Sequence, residues 1–83
     1  MQDRIRNLTL DRLATYQIQV PGTLDESWKD WVEGLQITIE TGEGVTSVTT
    51  LTAPFDQAGL HGLLRRLYAL GIPLISVVCI RGD

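Results

Sequence analysis

Residues 54–80 read PFDQAGLHGLLRRLYALGIPLISVVCI, and a helix followed by a strand is written into them. Pro54 has no N–H for a ladder and closes the strand before it. Asp56 is a helix N-cap, because a short carboxylate there satisfies backbone donors that the first turn leaves open. Leu60, Leu63, Leu64, Leu67 and Leu70 recur at the three- and four-residue steps of one helical stripe. Gly71, followed at one residue's remove by Pro73, ends the helix. Leu74 to Ile80 then carries apolar residues on both alternating faces, broken only by Ser76, and predicts a strand buried on both sides. Arg81-Gly82-Asp83 is a polar tail.

Upstream of this unit the periodicity is two. Val45 to Ala53 is threonine-rich and β-prone, Gly42-Glu43-Gly44 is a turn, and Gln36 to Thr41 alternates with Ile37 and Ile39 inward. Two such runs joined by a glycine-bearing turn predict a hairpin. Tyr16, Ile18 and Val20 alternate with Gln17 and Gln19, which predicts a half-buried strand closed by Pro21-Gly22. Between these strands, Thr23 and Glu26 have capping-box spacing. Leu24, Trp28, Trp31, Val32 and Leu35 share one face of a first helix, Lys29, Asp30 and Glu33 take the other, and Gly34 stops it. Both tryptophans are expected to point inward.

The element order is therefore βαββαβ. Its economical packing is an α+β ferredoxin-like sandwich, a four-stranded antiparallel sheet of order 4-1-3-2 with two helices on one face. Residues 1–15 read as an N-terminal arm, 16–80 as a single domain and 81–83 as the tail. The arm is charged and loosely periodic, and Ile5, Leu8 and Leu10 are its means of attachment.

The whole chain has 83 residues, a formal net charge of −3, 43% hydrophobic and 20% charged residues. That balance predicts one ordered globular domain rather than a disordered segment. A single cysteine makes no internal disulfide, which fits a reducing, cytoplasmic setting. No apolar run nears the roughly 18–20 residues of a membrane span, so no membrane role is expected. The acidic balance argues against nucleic acid, whose backbone is recognised by cations.

The last strand carries the strongest functional signal. In the expected order it is a sheet edge, and an apolar edge with free N–H and C=O groups pairs with whatever reaches it. A second copy of the chain is the favoured cover, making the protein a self-associating, regulatory or scaffolding module. Ile75, Val77 and Cys79 form the expected contact, helped by Ile5 and Leu8. Ala58 and Gly62, on the outward arc of the second helix, offer a further close-packing surface. Gly59 lies nearby, and each glycine inside a helix costs about 1 kcal/mol against alanine. The competing arrangement folds Ile5, Leu8 and Leu10 over the chain's own edge.

The alternative function is a small-ligand or catalytic site at a subunit interface. His61, Arg65 and Tyr68, at i, i+4 and i+7, would supply its polar groups, with Trp28 and Trp31 as the apolar wall. A half-exposed polar residue on a helix accounts for His61 more simply, and Cys79 reads as a small hydrophobe. No spacing matches a metal site, a phosphate loop or a catalytic triad, so no cofactor and no catalytic residue is expected.

Asp56-Gln57-Ala58-Gly59-Leu60-His61-Gly62-Leu63-Leu64, continuing to Leu70-Gly71-Ile72-Pro73-Leu74-Ile75-Ser76-Val77, resembles a pattern of small bacterial proteins, DQAALHGLL followed by LGLPLLSV. Leu24-Asp25-Glu26-Ser27-Trp28 with Trp31 and Gly34-Leu35 is similar to their LDxxWxxWxxGL segment. Gly59 stands where that pattern has alanine. The resemblance implies a free-standing domain of an uncharacterised bacterial family and carries no activity with it.

Overall fold

Alternation puts Ala14, Tyr16, Ile18 and Val20 on one face of β1 (Ala14–Pro21), and all four are buried. The computed structural model describes residues 12–41 and 47–82. Within them β2 (Gln36–Thr41), β3 (Ser47–Phe55) and β4 (Ser76–Gly82) join β1 in one antiparallel sheet of order β2-β3-β1-β4. Read from the far edge this is the expected 4-1-3-2 order. Ile18 stands opposite Leu51 on one side and Val77 on the other. Directly opposed residues share a sheet face, so Ile18 and Leu51 form the centre of the core with Val20, Ala53 and Phe55. The other face is polar at its centre: Ser76 donates to the Gln19 side-chain oxygen at 3.1 Å, and the Gln19 amide donates to Thr50 at 3.3 Å, tying β4, β1 and β3 together. Of the expected features, the turn at 42–44, the aliphatics Ile5, Leu8 and Leu10, and Asp83 lie outside the described residues.

One α-helix, α1 (Gln57–Ala69), covers the core face. The Asp56 carboxylate accepts from the Gly59 N–H at 2.7 Å, as its N-cap position requires. Leu60, Leu63 and Leu67 are buried and Leu64 is partly so. The helix ends in a Schellman arrangement: Ile72 N–H donates to Leu67 C=O at 2.9 Å and Gly71 N–H to Tyr68 C=O at 3.0 Å. Gly71 sits at φ +76°, a conformation open to glycine. Leu70, expected in the apolar stripe, is instead the exposed C-cap, because the chain leaves the helix there. At the other end, the Gln57 amide donates to the Tyr16 hydroxyl at 2.7 Å, giving this buried phenol a partner.

The expected first helix is not an α-helix, and the two-helix ferredoxin-like sandwich is corrected accordingly. Asp25, rather than Thr23, caps a five-residue 3-10 helix, Glu26–Asp30, and accepts from Ser27 N–H at 3.1 Å. Asp25, Ser27 and Asp30 compete for backbone hydrogen bonds, and the aromatic and β-branched neighbours add little helix propensity. Apolar spacing is nearly the same for a tight turn and an α-helix, so Leu24, Trp28 and Leu35 are buried while the hydrogen bonding differs.

Other expectations are revised. β3 runs through Pro54 to Phe55, past the last β2 pair at Thr52, where a missing N–H costs no β2 ladder bond. Ile39 is exposed and Ile37 only partly buried, since β2 is an edge. β4 is not buried on both sides: Val77 is 38% and Val78 47% exposed. One helix and one short turn do not span four strands, and β4 is left outside their cover.

Candidate functional site

The uncovered edge is the first feature the sheet positions. β4 pairs with β1 on one side and ends the sheet on the other. Between Cys79 and Arg81 the pairing shifts by one residue and leaves Ile80 without a direct β1 partner. Such a bulge twists an edge strand locally. Ile75, Val77, Val78 and Ile80 are exposed along this edge, and Leu70 and Leu74 extend the apolar surface. Cys79 is half-buried, packs against the core and is a free thiol.

A groove of about 610 Å³ opens at the end of the sheet where β1 begins and β3 finishes. Trp31, Val32 and Gly34 line it from the segment before β2, Pro54 and Phe55 from the end of β3, and Gly59, Gly62 and Leu63 from α1, together with Leu13. Gly34 makes the turn before β2 at φ +77°, where glycine is favoured, and a Cβ there would stand at an ordinary 3.7 Å from Pro54 Cδ. Gly59 is explained by the cap, because a Cβ would stand 3.2 Å from the Asp56 carboxylate oxygen. Gly62 has no such reason. Among the described residues a Cβ there would meet nothing within 4 Å.

The tryptophans do not form a buried wall. Trp28 is buried but Trp31 is 42% exposed, stacked on Trp28 with centroids 4.9 Å apart and planes at 24°. Side chains three residues apart eclipse in a 3-10 helix, which is why these rings stack. The Arg66 guanidinium lies over the outer ring face, 3.4 Å from its centroid.

His61, Arg65 and Tyr68 are exposed on α1, Tyr68 at 84%. Trp31 meets α1 through Arg66, and neither His61, Arg65 nor Tyr68 lines the groove. Ala58 is exposed on α1, and Gly62 lines the groove. Sequence reasoning passed over Arg66 because α-helical geometry for residues 24–35 turns Trp31 inward; the Asp25–Ser27 pair was the available signal for a tighter turn. Among the described residues no group of three or more His, Cys, Asp or Glu is placed to hold a metal ion, and no helix is long and apolar enough to cross a membrane.

Sheet, single helix and uncovered edge together define a small α+β domain whose distinguishing surface is apolar. The chain belongs to the family described as a domain of unknown function (DUF8691), which matches residues 15–78, from β1 into β4. No curated protein and no solved structure matches.

Proposed function

We propose that this chain is a self-associating interaction module of the cytoplasm, acting as a regulatory or scaffolding part, whose contact is the outer edge of β4. The carrying observation is that a sheet-terminal strand bears Val77, Val78 and Ile80 in the open. The favoured occupant is a second copy. Antiparallel self-pairing about a two-fold axis at Val78 sets Val77 opposite the partner's Cys79, both on the core side of the sheet. The same register places Arg81 opposite the partner's Ile75, so the two guanidinium groups stand at opposite ends, roughly 20 Å apart at about 3.3 Å per residue. No like charges meet, and free ladder groups of both chains are satisfied together.

Sedimentation equilibrium at micromolar concentration tests this. A dimer is expected, and Val78→Lys should yield a monomer with unchanged circular dichroism. Val77→Lys should act likewise. A wild-type chain that stays monomeric throughout the range overturns the reading, as does a Val78→Lys variant that remains dimeric.

A further inference from the structure

We propose that the groove beside α1 is the seat of the chain's own N-terminal segment, residues 1–11, with Leu8 and Leu10 as the apolar anchors. Gly62 supplies the first argument. Its backbone needs no glycine, a side chain there would strike nothing in the described fold, and glycine weakens a helix interior. Keeping this part of the groove bare serves something laid against it. The groove walls are chiefly apolar, through Leu13, Trp31, Val32, Phe55 and Leu63. An apolar concavity of this kind takes apolar side chains out of water.

Continuity selects the occupant. Leu13, two residues beyond the segment, already lines the groove, and Arg12, Leu13 and Thr15 border a smaller adjoining hollow with Pro54. Leu10 lies three residues from Leu13 and Leu8 five, a reach of up to about 10 and 17 Å in extended chain. Charge agrees: Arg4 and Arg6 flank Ile5 in the segment, and exposed Glu33 stands on the groove wall. A segment tethered this closely has an effective concentration in the millimolar range, so cis docking outcompetes a free partner of similar sequence. The groove then belongs to the chain itself, and β4 is left free for other contacts.

Paramagnetic relaxation in the full-length chain tests the seat. A nitroxide is attached at Arg6→Cys in a Cys79→Ser background, and isotope-labelled, spin-labelled chain is diluted into excess unlabelled, unmodified chain. Strong loss of intensity at the Gly59 and Gly62 amides and the Trp31 indole N–H is expected. Leu8→Asp with Leu10→Asp should restore those signals while the rest of the spectrum stays folded, and Gly62→Phe, which fills the groove, should do the same. Undiminished signals in the parent labelled chain overturn the proposal. Loss seen only when isotope-labelled and spin-labelled chains are separate molecules also overturns it, placing a neighbour's segment in the groove. None of these readouts requires a dimer, so a failure of β4 pairing is seen separately.

Discussion

The guanidinium of Arg66 caps the indole of Trp31 at 3.4 Å from the ring centroid, making the outermost layer of a three-part stack that begins at buried Trp28. This is the one cationic clasp between the 3-10 segment and α1 among the described residues. It fastens an exposed ring to the helix.

Arg66→Ala should therefore cost about 1 kcal/mol, the middle of the range for a partly exposed cation–π contact. For a domain of this size that is a fall in Tm of roughly 4–8 °C. Arg66→Lys should recover only part, since the planar guanidinium stacks where an ammonium does not. Trp31 emission should move to longer wavelength in the alanine variant, which fluorescence during thermal melting reads directly.

Thr49 is fully buried, donates from its hydroxyl to Gly22 C=O at 2.7 Å and accepts from Leu24 N–H at 3.3 Å. Thr49→Val keeps the shape and strands both backbone groups. A loss of about 1–3 kcal/mol is expected, seen as a lower urea midpoint. Thr49→Ser keeps the hydroxyl and should lose less, about the worth of one buried methyl. Equal losses in the two variants would mean that packing, not hydrogen bonding, sets the value of this residue.

Asp56→Ala removes the acceptor of the Gly59 N–H and should cost about 1 kcal/mol, whereas Asp56→Asn, an equally good cap, should be near neutral. The pair of urea midpoints separates capping from charge.

Gly71→Ala places a Cβ in the left-handed region at φ +76°, at a cost of roughly 1–2 kcal/mol, with no clash among the described residues to add to it. A neutral result would show that the Schellman turn relaxes freely. Amide exchange at Ile72, whose N–H closes the turn on Leu67, should quicken in the variant.

How far the sequence carried the fold varies by element. The strand of Tyr16–Val20 and the leucine stripe of α1 were legible because each has a single strict period, and the Asp56 cap and Gly71 stop are local chemistry needing no tertiary partner. Residues 24–35 were less so. Their apolar spacing named the buried residues Leu24, Trp28 and Leu35 but not the backbone that delivers them, since an α-helix and a 3-10 turn bury nearly the same set. The candidate surface divides the same way. That Val77 belongs to an apolar edge strand was readable, whereas the groove draws its walls from Leu13, Trp31, Pro54 and Gly62, positions far apart in the chain.

By itself, then, the sequence determined where its four strands and its α-helix fall along the chain and most of the residues that seek the interior, because these follow from side-chain period and turn chemistry acting over a few residues. Only the tertiary structure decided that one α-helix covers the sheet, that Arg66 clasps Trp31, and that β4 stands uncovered. Those outcomes depend on how much area one helix and one short turn mask, a quantity no local pattern contains.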